Sequence, residues 1–392
     1  MRQTDVLIIG GGLAGSTAAA MLGRAGIATI MVDPHEVYPP DFRCEKFDAA
    51  QVALVEKTGL ADAVLPATTA SLTWAARPGG LVDKKPVKQF NALYDTLVNA
   101  MRRAIGGSAT MIEAKAAAMT VGAERQTVQL STGEEISARL LVLANGLNAA
   151  IRQNLGMGRT ILSANHSISA GFDVTPVGRP HFDFPAMTFF PTRASERLSY
   201  LTLFPIGATM RANLFVYRDM NDPWLRQLRE APVETLTALI PALARFAAPF
   251  AVPDPVKIRP VDLYATTGYE QAGVVLVGDA FGTSCPAAGT GTNKVLTDVE
   301  RLCHEYIPRW LATPGMGFDK IAAFYADPEK VACDKASLAR AFYVRSISVD
   351  ESPAWQARRF GKTVGRIGIS LLRSAAARAS AGPSRHHAAT GA

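Results

Sequence analysis

The chain has 392 residues, 48 % of them hydrophobic and 19 % charged, enough for a large buried core in two or three modules and incompatible with disorder throughout. The net charge of +7 is uneven: from Arg340 to the end nine Arg or Lys residues stand against two acids, Asp350 and Glu351, and the rest is neutral. Without basic residues interleaved with groove-reading or stacking elements, nucleic acid is excluded as a partner; four dispersed cysteines (Cys44, Cys285, Cys303, Cys333) support neither a disulfide framework nor a metal site.

This thiol usage fits a reducing compartment. Arg2 and the apolar run after it imitate a secretory leader, but Asp5 and the glycine triplet break the pattern. No stretch offers about 18 uninterrupted apolar residues. A soluble cytoplasmic protein is the expectation.

In chain order, Asp5 to Ile9 reads DVLII, a β-branched run that enters GGGLAG at Gly10 to Gly15. A helix over Ser16 to Arg24 and a second buried strand over Ala28 to Val32 follow. In such a unit the first glycine allows the turn, the second lets backbone N–H groups approach a pyrophosphate, and the third lets helix and strand pack closely. Asp33 closes the second strand, where a carboxylate accepts hydrogen bonds from ribose hydroxyls and disfavours a 2′-phosphate. Gly10, Gly12, Ala14, Gly15 and Asp33 are therefore candidate cofactor residues, and this motif alone does not separate NAD from FAD.

A short strand pair is predicted between Thr110 and Arg139, turning at Ser131-Thr132-Gly133 and interrupting the nucleotide domain. Leu140 to Arg152, LLVLANGLNAAIR, reads as a buried strand and a turn. The middle of the chain predicts a meander with strands at Ser167–Val174, Ala186–Pro191, Leu198–Phe204 and Arg211–Tyr217. Helical spacing follows over Trp224 to Phe246, with breaks at Pro232 and Pro241. His166 and His181 have no recognisable nucleophile or metal-ligand partner and read as structural or solvated.

Gly273 to Ala280, GVVLVGDA, is a further short strand ending in Gly-Asp; FGTSCPAAGTGTN and a helix from about Lys294 come next. A carboxylate, Asp279, and a helix amino terminus thus meet at one place. At the end, Trp355 to Arg378 combines Phe360, Val364, Ile367, Leu371 and Leu372 with Arg358, Arg359, Lys362, Arg366, Arg373 and Arg378. That is a basic amphipathic helix, expected to cap the protein's own core, with a peripheral membrane or protein partner as the other use. Residues after Ala379 are expected to be disordered.

These motifs resemble the flavoprotein monooxygenases of the 4-hydroxybenzoate hydroxylase type, with the related halogenases and geranylgeranyl reductases. The match is Gly278-Asp279-Ala280, then Pro286, Gly289, Gly291 and Asn293. The resemblance implies that Asp279 binds the ribitol chain of FAD. It also implies that the loop from Pro286 to Asn293, Thr292 included, lies against the isoalloxazine ring and receives negative charge developing at flavin N1 and O2. Pro286 shapes the reactive face, and Arg43, in FRCEK, stands where the family places an arginine near the pyrophosphate or flavin; a surface arginine is the competing reading. Cys285 reads as a buried free thiol.

The pattern is broken in places. Leu140 to Arg152 resembles the family's ADGxxSxxR, with Gly146 and Arg152 matching, but Asn145 replaces the aspartate and Ala149 the serine. Because that aspartate contacts FAD and the reduced nicotinamide in the family, the donor stays open among NADPH, NADH and a separate reductase. Asn91 to Val98, NALYDTLV, resembles RxxFDxxL except at Asn91 and Val98. The halogenase WxWxIP motif is absent, and Lys46 reads as a solvated lysine.

The implied fold is a doubly wound, Rossmann-like α/β FAD-binding domain over 1–72, 96–165 and 258–330, an inserted mixed β-sheet substrate domain over 73–95 and 166–257, and a helical region over 331–392. Phe189, Tyr200 and Phe215 are candidate substrate-pocket walls, with ordinary sheet core as the competing use. The implied activity is that of an FAD-dependent monooxygenase. It hydroxylates an electron-rich, aromatic small molecule with O2 through a flavin C4a-hydroperoxide, and no metal takes part. A reductase or halogenase of the same superfamily, or a flavin-bound accessory protein, is the alternative.

Overall fold

The computed structural model describes residues 1–78 and 81–380. Two sheets organise these residues into a mixed α/β fold. In the first, five parallel strands lie side by side in the order Ala109–Glu113, Thr29–Asp33, Arg2–Ile9, Glu135–Leu143 and Val274–Leu276. The central strands are apolar runs such as VLII and LLVL, buried on both faces as a parallel sheet requires. The helix Leu13–Arg24 returns over one face, where Ala18, Ala19 and Ala20 let it lie close to the strands. A Cβ at Gly15 would stand 1.8 Å from the Gly10 carbonyl oxygen, so only glycine permits this approach.

The remaining strands of this sheet, Ala116–Thr120 and Gln126–Leu130, join antiparallel to the start of Glu135–Leu143, and the turn at Gly133 has φ +85°. The predicted strand pair near Thr110 to Arg139 is therefore no interruption. Its first strand pairs in parallel with Thr29–Asp33, and the rest extends the same sheet. This ribbon and the short helix Ala150–Asn154 cover one face; the helices Leu13–Arg24, Tyr94–Arg103 and Gly291–Arg301 cover the other.

The second sheet has nine strands in the order Cys44–Phe47, Val82–Leu93, Thr69–Ala76, Met187–Phe189, Leu198–Ile206, Thr209–Val216, Gly158–Pro176 and Phe250–Ala251, with Lys257–Thr267 also paired to Gly158–Pro176. Alternation divides its faces. Phe172, Phe189, Leu201, Leu203, Ala212 and Leu214 point into a core closed by the helices Pro223–Glu230, Pro232–Leu239 and Pro241–Ala247. Each helix opens on its proline, whose missing N–H costs nothing at a helix start; hence the breaks at Pro232 and Pro241. Ser169, Thr188, Tyr200, Thr202, Asn213 and Phe215 lie on the opposite face, toward the first sheet.

The second sheet reaches beyond 73–95 and 166–257. The edge strand Cys44–Phe47 and the start of Gly158–Pro176 come from segments that the sequence joins to the nucleotide domain. Four residues of edge strand carry too little pattern to announce which sheet they enter.

The helix Pro328–Val349 packs on Gly291–Arg301, and Pro353–Ser380 follows it. This last helix does not cap the core as the sequence suggests: Phe360 is 72 % and Val364 50 % exposed. It reaches Ser380, and the expected disorder beyond concerns residues 381–392, outside the described residues. Among the described residues no helix is long and apolar enough to cross a membrane.

Candidate functional site

The glycine turn and the Gly-Asp turn stand at the carboxyl ends of two parallel strands, Arg2–Ile9 and Val274–Leu276, that flank Glu135–Leu143, where an open α/β sheet leaves its crevice. A cavity of about 630 Å³ occupies this crevice and is lined by Gly10, Gly12, Ala14, Asp33, Arg43, Tyr94, Asn145 and Asp279 among others. It adjoins a smaller one of about 210 Å³, lined by Phe42, Glu45, Asn213, Phe215, Pro286, Gly289, Gly291 and Thr292. Arg43, Tyr94, Arg259 and Asp279 border both, so the two are one continuous site with a long arm and a short one.

At the long arm, Asp33 accepts hydrogen bonds from the Gly11 N–H at 2.7 Å and the His35 N–H at 3.1 Å. Arg102 pairs with the same carboxylate at 3.0 Å. The buried Arg102 guanidinium also donates to the Gly11, His35 and Glu36 carbonyls, tying the glycine turn to the end of the second strand. A carboxylate has about four acceptor sites, so Asp33 keeps capacity for a ligand hydroxyl. Sequence reasoning missed Arg102, which arrives from the helix Tyr94–Arg103, far along the chain.

At the junction, the Arg43 guanidinium lies 3.8 Å from the Tyr94 ring centroid and is held by Asp41 at 2.6 Å. It is no surface arginine: it is half-buried against both cavities. The Tyr94 hydroxyl accepts from the Leu13 N–H at 3.2 Å. Tyr94 opens its helix at the aromatic position of the NALYDTLV segment, a signal that could have nominated it. Asn145 lines the long arm with both amide ends engaged: it donates to the Asn148 carbonyl at 2.8 Å and accepts from Arg152 at 3.2 Å.

At the short arm, Asp279 presents a half-buried carboxylate with no hydrogen-bond donor among the described residues. Burial raises its pKa against the pull of Arg43, Lys294 and Arg152. Its neighbour Gly278 has φ +61° and donates its N–H to Asp298 at 2.9 Å. Asp298 pairs with Lys330 at 2.8 Å; Lys330 also pairs with Asp334 at 3.0 Å, and Asp334 with Lys294 at 2.8 Å. Sequence reasoning missed this buried set, which hangs the Gly-Asp turn on two helices.

Pro286 and the following residues form a short turn ending at Gly289, φ +67°, before the helix starts at Gly291. Asn293 accepts from Gln51 at 3.0 Å instead of facing the cavity. Thr292 donates to Glu45 at 2.7 Å. Glu45, also missed, lines the short arm, and burial raises its pKa despite that hydrogen bond.

Of the three aromatic candidates only Phe215 lines the cavity. Tyr200 packs against it at 4.9 Å and donates its hydroxyl to the Ala287 carbonyl at 3.2 Å, supporting the loop from behind. Phe189 faces the other way, into the core beneath the sheet, because it stands one residue from Thr188, whose hydroxyl meets Thr202 on the opposite face. Lys46 is not solvated: its ammonium donates to Thr202 at 2.9 Å, burial lowers its pKa to about 8, and it lines neither cavity. Cys285 is buried, with a pKa raised by desolvation, and His166 is buried while His181 is exposed.

The residues present fit FAD. The helices Leu13–Arg24 and Gly291–Arg301, whose first turns border the site, have no side-chain cap, whereas Ala49–Lys57 is capped by Asp48. Apart from the Leu13 N–H, which Tyr94 accepts, the first-turn N–H groups have no side-chain acceptor, and with their dipoles they suit a pyrophosphate and an anionic ring. The Asp279 carboxylate is placed to accept from a ligand hydroxyl.

The FAD binding domain family model matches residues 3–307. The chain is 26 % identical over 319 residues to the 3-demethoxyubiquinol 3-hydroxylase of Escherichia coli (strain K12), covering 77 % of this chain and 79 % of that one. It is 26 % identical over 383 residues to the ubiquinone hydroxylase UbiL of Rhodospirillum rubrum, covering 92 % and 85 %. The fold is similar to that of the p-nitrophenol 4-monooxygenase PnpA from Pseudomonas putida DLL-E4, with TM-score 0.73, 15 % identity and coverage of 91 % and 92 %. With both glycine signals lining one crevice and a family match over most of its length, the chain belongs to the FAD binding domain family of FAD-dependent monooxygenases.

Proposed function

We propose that this protein hydroxylates a single-ring, electron-rich aromatic compound at the short arm of the site, using O2 and NADPH or NADH. The observation that carries this reading is the joined pair of cavities, one of cofactor dimensions and one of about 210 Å³ walled by Phe42 and Phe215. The flavin ring that Pro286, Gly289, Gly291 and Thr292 would face takes part of the short arm, so the space left beside Phe42 and Phe215 suits one substituted ring rather than a fused polycycle. The hydroxylase names among the relatives support the same class of reaction.

Bound FAD would supply the redox chemistry, accepting a hydride and activating O2. The chain's own residues bind, orient and exclude water. Gly10, Gly12, Ala14, Gly15 and Asp33 would hold the adenosine and pyrophosphate end, and Asp279 the ribitol. The backbone around Pro286, Gly289, Gly291 and Thr292 would face the ring. Arg43 stacks on Tyr94 between the arms, and Phe215 with Phe42 confines the substrate. Glu45 would take the proton of a substrate hydroxyl, since its half-buried carboxyl borders the short arm and desolvation raises its pKa.

Anaerobic stopped-flow absorbance tests this. NADPH or NADH is expected to bleach the flavin in the presence of a single-ring phenol, and O2 should then produce a transient band distinct from oxidised and reduced flavin, followed by hydroxylated product. Failure of both nicotinamides across a phenol panel would move the donor to a separate reductase. Reoxidation that releases only hydrogen peroxide with every phenol would sink the hydroxylase reading.

A further inference from the structure

The helix Pro353–Ser380 is built unlike the rest of the molecule. Its 28 residues contain six Arg or Lys and no acid. Phe360 and Val364 stand four residues apart, which sets them on one side of the helix. Arg358, Lys362 and Arg366 recur on the opposite side, with Arg359 beside them.

The structure turns this helix the unusual way round. Its cationic side meets the protein: Lys362 contacts the Tyr343 hydroxyl, Arg358 lies 5.2 Å from the Tyr343 ring, and Arg359 donates to the Ile347 carbonyl at 3.4 Å. Phe360 and Val364, on the apolar stripe, are 72 % and 50 % exposed. A stripe containing an exposed phenylalanine, on a helix with only cations, calls for an apolar cover rimmed by negative charge.

We propose that this helix docks the protein on an anionic lipid surface, lying in the plane of the interface with Phe360 and Val364 inserted. Amphipathic helices that combine large apolar residues with Lys and Arg and lack acids bind in this manner, buried roughly 5–10 Å into the headgroup boundary. Arginine and lysine stems reach around the helix to the phosphates. A second copy of the chain is the poorer cover, because paired copies of this helix would bring twelve cations together without a counter-charge. A convex helix also offers no groove to a peptide.

Co-sedimentation of the full-length flavoprotein with vesicles tests the proposal, comparing phosphatidylcholine alone with phosphatidylcholine containing about 30 mol % phosphatidylglycerol. Binding to the anionic vesicles only is expected, and about 0.5 M salt should weaken it. Replacing Arg358, Arg359 and Lys362 together by Gln should weaken partitioning on the order of 100-fold. The Phe360→Ser, Val364→Ser double variant, whose side chains are exposed, should weaken it roughly 10-fold or more with melting temperature unchanged, and both variants should keep their flavin. The proposal fails if the wild-type chain ignores anionic vesicles, or if both variants partition as it does. It also fails if sedimentation equilibrium shows a wild-type dimer that the Phe360→Ser, Val364→Ser change dissociates while vesicles leave the chain free.

Discussion

At the residue scale, the site separates local signals from imported ones. Gly10, Gly15 and Asp33 were legible because strand, turn, helix and acid follow each other directly, and close packing of helix on strand demands glycine where a Cβ would strike a carbonyl. Arg102, which clamps that turn, was not, because an arginine late in an amphipathic helix looks like any solvated one. Glu45 was hidden in the same way, its burial decided by the helix start that covers it. His166 illustrates the converse. It read as structural, and it is buried with its Nδ1 at 3.1 Å from Ser163 and its Nε2 without a hydrogen bond. Burial first, and then Arg345, lowers its pKa to about 4 from an ordinary 6.5. Between those values the unfolded chain binds more protons than the native one, so stability rises with pH and is lost as pH falls from about 6.5 to 4. Thermal melts over that range should show His166→Gln losing less stability than the wild-type chain, the difference being on the order of 1–3 kcal/mol; parallel curves would refute it.

At the element scale, periodicity and proline placement predicted most helices and strands, including the breaks at Pro232 and Pro241. What escaped was how elements hold each other. The Gly278-Asp279 turn keeps its position because Asp298 on one helix accepts its N–H and Lys330 on another neutralises Asp298. Lys330 is 1 % exposed; burial would lower its pKa, but Asp298 and Asp334 overcome that and raise it. Lys330→Met should therefore cost about 3–5 kcal/mol in urea unfolding of the apoprotein, because a buried carboxylate loses its partner. The same variant should retain less FAD after dialysis. An unchanged urea midpoint would show that the ion pair is not what steadies the turn.

At the scale of the whole molecule, the two sheets enclose the short arm, and its size is set by their separation and by Phe215. Phe215→Leu should raise kcat/KM for two-ring phenols relative to one-ring phenols by roughly 10-fold, the scale of a few methylenes in an apolar pocket; an unchanged ratio would remove Phe215 from the pocket wall. Phe189 and Phe215 read alike in the sequence, yet one lies in the core beneath the sheet and the other faces the site. By itself the sequence determined the parallel-sheet nucleotide fold, the flavin family and both glycine signals, because each rests on residues contiguous in the chain whose conformational demands are local. Only the tertiary structure decided which face of the second sheet meets the cofactor crevice, that Lys46 and Glu45 are half-buried and hydrogen-bonded, and that the last helix turns Phe360 and Val364 outward. Those outcomes depend on register and on contacts between segments hundreds of residues apart, and a one-residue shift of register would reverse every side chain on a strand.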